Sequence, residues 1–222
     1  MCHHRASGVL GAMNAFLMRL LDAGFGHPRC LVGRLGGALM AYGNSEQERW
    51  AVEQARLVPG QRVLVVGHGP GLGLRLTAAA VSPGGLVVAV DPSSVMRQMA
   101  TARCAAGVVE LREGTAEDTG CADASVDAVI SVNNVMLWDR GAGFDELIRV
   151  LRPGGRMVVT VHRPVLDVAP ETLAREASEA GLVDLAVGAH RRQHGVKGGA
   201  VGPALTLNPV TGHMQLIGAT LR

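Results

Sequence analysis

An apolar run that ends in alternating glycines constrains this 222-residue chain more than any other feature. It reads Val63-Leu-Val-Val-Gly67-His-Gly69-Pro-Gly71-Leu-Gly73. The run Val63–Val66 has no polar face, which suits a strand covered on both sides. The glycines let the chain turn sharply and let a ligand approach the backbone closely. The sequence then continues as a helix, so a strand, a glycine loop and a helix follow in order.

The same punctuation repeats downstream. Short Val-rich runs at Leu86–Val90, Val108–Leu111, Val126–Val132 and Met157–Val161 are each bounded by Gly, Pro, Asp or Ser. Helical stretches are predicted near 71–80, 94–106 and 141–151. Strand and helix alternate, which predicts an α/β fold with a doubly wound sheet. Pro170 opens a further predicted helix to Ala180, and Gly181 closes it. Leu182–Val187 and Met214–Leu221 are two more strand candidates, and the Gly-rich basic stretch Arg191–Gly202 is predicted to be a mobile loop.

Residues 1–60 differ in character. Val9, Met13, Phe16, Leu17, Leu20 and Leu21 sit at helical spacing, and His27-Pro28 breaks the pattern. Leu31, Leu35, Leu39 and Tyr42 continue it. Ser45 and Glu48 have the spacing of a capping box, which starts a third helix running to Arg56. The expected division is therefore an N-terminal helical lid over 1–56 and a binding domain over 57–222.

Composition removes several function classes. The 21 basic and 19 acidic residues leave a net charge of only +2, which argues against a nucleic-acid-binding protein. The 4 cysteines are far apart and form no CxxC pair, so neither a metal site nor a disulfide framework is expected. Free thiols fit a reducing, cytoplasmic setting. No apolar run reaches the ~20 residues of a membrane helix. Asn14 and Arg19 interrupt the one stretch, Val9–Leu21, that faintly resembles a signal segment. Of the six aromatics, Phe16, Phe25, Tyr42 and Trp50 lie in the first 50 residues, and Trp138 and Phe144 follow the fourth strand. Their placement predicts an apolar substrate pocket where the lid meets the Trp138 region.

Asp91 ends the second predicted strand, 24 residues after Gly67. A carboxylate there can accept the ribose hydroxyls of a nucleoside lying across the strand ends. From Gly67 or Gly69 the sixth position is Leu72 or Leu74, so the dinucleotide pattern GxGxxG is not met. The spacing GxGxGxG instead resembles the first motif of class I S-adenosylmethionine-dependent methyltransferases. Further segments strengthen the resemblance: Leu57-Val-Pro-Gly-Gln-Arg-Val63, Arg112-Glu-Gly-Thr-Ala-Glu117-Asp, Asp123-Ala-Ser-Val-Asp127 and Leu151-Arg-Pro-Gly-Gly155. They cover residues 57–162 and point to the branch that includes ubiquinone and menaquinone biosynthesis and many small-molecule enzymes.

The resemblance implies a seven-stranded sheet with an antiparallel last strand, and S-adenosylmethionine as cofactor with S-adenosylhomocysteine as product. It implies that Gly67, Gly69 and Gly71 pass under the methionine portion, with His68 beside them, and that Asp91 holds the ribose. Pro92 and Ser93 would edge the adenine, with Thr115, Ala116 and Glu117 on its other rim. Asn133 and Asn134 would face the sulfonium and the substrate, in a pocket shared with Phe16, Phe25, Tyr42, Trp138 and His162. His162 ends the fifth strand and is the candidate base. The implied partner is a small-molecule substrate, with secondary metabolism one setting for it, met by a monomer or homodimer without metal, membrane or nucleic acid. Two positions depart from the family pattern. Val65 stands where an acid is usual, and Thr115 where Asp is common. These departures leave open a non-catalytic binding protein, and the α/β reading leaves open a nicotinamide-dependent oxidoreductase.

Overall fold

The computed structural model describes residues 45–104, 107–162, 166–191 and 212–219. Phe16, Phe25 and Tyr42, most of the predicted lid and most of the 191–202 loop lie outside these residues. The first described element is a helix over residues 45–55, here α1. Strand and helix then alternate as β1 (Arg62–Val66), α2 (Leu72–Val81), β2 (Leu86–Val90), α3 (Ser94–Thr101), β3 (Val109–Arg112) and β4 (Val126–Val132). A short 3-10 turn (Val135–Leu137) leads into α4 (Arg140–Val150) and β5 (Leu151–His162). The chain continues through α5 (Pro170–Glu179), β6 (Val183–Arg191) and β7 (Gly212–Ala219).

The sheet order is β3-β2-β1-β4-β5-β7-β6. The first five of these pair in parallel, and β7 runs antiparallel to both β5 and β6. The order reverses direction between β1 and β4, which is where α/β sheets of this kind open a crevice at their strand ends.

Side-chain alternation along β1 explains why both faces are covered. Leu64 and Val66 join one apolar cluster with Phe144 and Leu147 of α4 and Leu173 of α5. Val63 and Val65 point the other way, into a cluster with Ala51 and Ala55 of α1, Leu74 and Ala78 of α2 and Ala100 of α3. Residues 45–55, grouped with the lid in the sequence reading, therefore pack into the core of the sheet domain. Small alanines at these helix positions let the helices lie close to a Val-rich sheet.

Two elements differ from expectation. β5 begins at Leu151, ahead of the expected Met157–Val161 run, so the turn-like Leu151–Gly155 segment lies within the strand. It pairs Val126 with Leu151 and then Ala128 with Arg156, and the extra residues bow out between these anchors. α3 stops at Thr101 rather than near residue 106. The Thr101 hydroxyl donates to the Arg97 carbonyl at 2.9 Å, a back-bond that competes with helix propagation.

Leu147 is fully buried between α4 and the sheet. Leu147→Ala is expected to lower unfolding free energy by about 2–5 kcal/mol, read by urea unfolding. Val58→Ala, at a position 52% exposed, should stay within about 0.5 kcal/mol. Equal effects at the two sites would contradict this core assignment.

Candidate functional site

The glycine loop sits at the C-terminal end of β1, where several elements hold it. Gly67, Gly69 and Gly71 have φ of 63°, 51° and 87°, the left-handed region that favours glycine. The Gly67 amide donates to the Val90 carbonyl at 2.8 Å, and the Gly69 amide donates to Asp91 Oδ2 at 2.9 Å. Arg103 Nη1 of the segment after α3 donates to the Pro70 carbonyl at 2.8 Å. A Cβ at Gly67 would fall 2.2 Å from Asn134 Nδ2, whereas one at Gly69 would meet nothing within 4 Å. The loop is thus closed on its inner side and open at Gly69.

Asp91 is 6% exposed, and both carboxylate oxygens are oriented by backbone amides. Oδ2 accepts from Gly69, and Oδ1 accepts from Ser93 at 2.9 Å. Each oxygen retains a second lone pair for a ligand hydroxyl. Ser93 also caps α3 by accepting from the Met96 amide at 3.4 Å, and Pro92 is exposed beside it. Across the crevice, Thr115 is exposed and its hydroxyl accepts from the Asp118 amide at 3.2 Å. Ala116 is buried, and Glu117 accepts from the Asp139 amide at 2.8 Å, which ties this loop to the start of α4.

The two asparagines after β4 have separate duties. Asn134 donates from Nδ2 to the Val66 carbonyl at 2.7 Å. Its Oδ1 accepts from Ser131 Oγ at 2.5 Å and from Trp138 Nε1 at 3.0 Å. Asn133, at φ 58°, exchanges amide hydrogen bonds with Gln47 of α1 at 2.6 and 3.2 Å. Its Oδ1 also accepts from the His162 backbone amide at 2.8 Å. The structure therefore joins α1, β4 and the end of β5 through Asn133, and brings His162 to the same strand edge as the glycine loop.

Trp138 has a setting the sequence does not suggest. It packs edge-on against Phe144 with centroids 6.0 Å apart, and Phe144 itself is a core residue. The cavity it borders, of about 580 Å³, has charged walls that include Asp139, Arg140, Asp145 and Glu176. Arg140 is paired there with Asp167 and Glu176 at 2.9 and 2.7 Å. Any apolar pocket shared with Phe16, Phe25 and Tyr42 involves residues outside those described.

Two polar groups of α1 lie beside the loop: Gln47, which sequence pattern did not single out, and Glu48, which it marked only for helix capping. Gln47 is 1% exposed and is held by Asn133. Glu48 reaches the loop from α1, and its Oε2 lies 3.0 Å from where a Gly73 Cβ would stand. Burial pushes the Glu48 carboxyl up to about 7, against a smaller opposite pull from the Gly73 amide. His68 is 5% exposed, and its Nδ1 lies 2.7 Å from the Gly69 carbonyl. A carbonyl only accepts, so Nδ1 carries the proton. Burial holds the His68 pKa below its ordinary value, with partial opposition from Asp91, so the ring is neutral near pH 7. Glu48 Oε2 and His68 Nε2 are both buried without a hydrogen-bond partner. Among the described residues no cluster of three or more His, Cys, Asp or Glu could hold a metal ion.

A carboxyl whose folded pKa lies above its unfolded value destabilises the fold increasingly as pH rises between the two. Glu48→Gln is therefore expected to stabilise the ligand-free protein at pH 8, by up to about 3 kcal/mol, and to change little at pH 5. Urea unfolding of both proteins at the two pH values measures this. The same difference at pH 5 and pH 8 would contradict a raised Glu48 pKa.

Known proteins share this arrangement. The methyltransferase-domain family pattern matches residues 64–159, which span β1 to β5. The uncharacterized methyltransferase YdaC of Bacillus subtilis is 30% identical over 138 residues, covering 62% of this chain and 76% of that protein. The ubiquinone/menaquinone biosynthesis C-methyltransferase UbiE of Geotalea daltonii is 34% identical over 119 residues. That match covers 50% of this chain and 49% of UbiE, so the chain spans only about half the length of that relative. A crystal structure of a SAM-dependent methyltransferase from Aquifex aeolicus superposes with a TM-score of 0.61 at 17% identity, covering 78% of this chain and 89% of that one. The chain belongs to the class I S-adenosylmethionine-dependent methyltransferase family.

Proposed function

We propose that the protein transfers a methyl group from S-adenosylmethionine to a small-molecule acceptor. The observation that carries this reading is the braced loop, with positive φ at three alternating glycines beside a buried, pre-oriented Asp91. The bound cofactor supplies an electrophilic methyl on a sulfonium, so the work of the chain is binding and alignment.

Each residue then has a role that its surroundings support. Gly67, Gly69 and Gly71 offer side-chain-free backbone to the methionine portion, with His68 beneath them. Asp91 accepts the ribose hydroxyls with the lone pairs its two amide donors leave free. Pro92 and Ser93 border one edge of the adenine, and Thr115, Ala116 and Glu117 border the other. Asn133 is a positioning residue near the reacting centre, since its amide is bonded to Gln47 and to the His162 backbone. Asn134 and Trp138 fix each other behind the acceptor site. His162, at the C-terminal end of β5, serves as base for an acceptor that must lose a proton. The buried Cys121 and half-buried Cys104 thiols suit a reducing cytoplasm. The likeness to UbiE favours a small acceptor from quinone-like or secondary metabolism.

Thermal unfolding with added ligand tests the cofactor. S-adenosylmethionine and S-adenosylhomocysteine should both raise Tm, since at 100 times Kd a ligand contributes about 2.7 kcal/mol. NADH should leave Tm unchanged. Stabilisation by NADH and by neither adenosyl compound would contradict the proposal. His162→Ala should lower kcat for hydroxyl or carbon acceptors by about 10²–10⁴ while cofactor affinity stays the same. Unchanged turnover would remove His162 as the base.

A further inference from the structure

The alternating glycines end with Gly73, in the first turn of α2, which the cofactor contacts above do not use. Its role emerges from what faces it. Glu48 Oε2 lies 3.0 Å from the site of a Gly73 Cβ, so any side chain at 73 would push the carboxylate away. Glycine at 73 lets an acid from α1 rest directly on the loop.

A cavity of about 20 Å³ lies at this junction, large enough for one water-sized group. Among the described residues, Glu48 and His68 are the only titratable side chains on its wall, which Val65 and Gly67 also line. Both orphaned atoms, Glu48 Oε2 and His68 Nε2, are acceptors in the ionised and neutral forms respectively. With Glu48 ionised, two acceptors around one small space require a donor, and a buried carboxylate favours one that carries positive charge. The strand offers no acid here, because Val65 occupies the side of the sheet that faces α1. The other charged groups acting on His68 are Asp91 at the end of β2 and Arg97 of α3.

We propose that Glu48 is the carboxylate that receives the α-ammonium group of the bound cofactor, with His68 Nε2 accepting a second hydrogen bond from it. This inference rests on the cofactor reading above. It makes α1 part of the binding site and accounts for an acid placed on a helix rather than on the strand. It also gives Gly73 a purpose, as the point of close approach between helix and loop.

Isothermal titration with S-adenosylhomocysteine, and with 5′-methylthioadenosine, which lacks the amino-acid end, tests the contact. Glu48→Gln should weaken S-adenosylhomocysteine roughly 10–100-fold, the range of a charge-assisted hydrogen bond. Methylthioadenosine affinity should change less than about 3-fold, because that ligand has no ammonium to lose. Binding of S-adenosylhomocysteine to the wild type should also release about half a proton at pH 7, as a carboxyl near that pKa ionises against the cation. Titrations in buffers of different ionisation enthalpy read that release, and Glu48→Gln should abolish it. Equal S-adenosylhomocysteine affinity in the two proteins would overturn the inference, as would an equal loss for methylthioadenosine. Absence of proton release in the wild type would overturn it even if the variant did not fold. A wild type that bound neither compound would overturn the cofactor reading, and this inference with it.

Discussion

The Asn134 carboxamide is the joint on which the site depends. It reaches from the end of β4 to the Val66 carbonyl at the end of β1, and so spans the point where the strand order reverses. Its oxygen also fixes Ser131 and Trp138. No other atom has room on that side, because Gly67 supplies the space that its Nδ2 fills. A buried amide with all its groups satisfied is rigid, and leaving any one partner unmatched carries a large desolvation cost. The loop is therefore held in shape by the protein's own contacts, and a loop held in this way lowers the ordering cost of binding.

A second set of contacts couples this joint to α1. Gln47 and Glu48 are neighbours on one helix and do different things. Gln47 is bonded to Asn133, which in turn holds the backbone of His162. Glu48 lies on Gly73, in the first turn of α2. Through these two residues α1 touches both the glycine-loop region and the C-terminal strand edge at His162. Buried polar groups of this kind are costly unless matched, and Glu48 Oε2 and His68 Nε2 are two such atoms beside the loop.

Much of the fold was legible because parallel strands covered on both faces read as continuous Val-rich runs. β2, between Gly85 and Asp91, and β4, between Ser125 and Asn133, have the boundaries that these flanks suggest. β5 was read too short because Arg152-Pro-Gly-Gly is turn-like locally, while Leu151 pairs with Val126 through the sheet. The loop and Asp91 were legible because backbone geometry at positive φ leaves glycine in the sequence, and the end of a strand leaves an acid. Gln47 and Glu48 were not, because their partners lie across the fold. The spacing of Ser45 and Glu48 has a local explanation in helix capping, and nothing nearby reveals that the carboxylate rests on residue 73. The roles of Asn133 and Asn134 also diverge only in three dimensions, since adjacent residues after a strand turn to different neighbours.

In the proposed reading, the braced glycine loop, with Asp91 after β2 and Glu48 of α1 on either side, holds S-adenosylmethionine. A crystal structure of the S-adenosylhomocysteine complex tests it most directly. The account predicts ribose hydroxyls on Asp91, the amino group on Glu48 and His68, and a glycine loop that keeps its unliganded hydrogen bonds to Val90 and Asn134. A ligand bound elsewhere, or a loop that must break those bonds to admit it, would contradict the account.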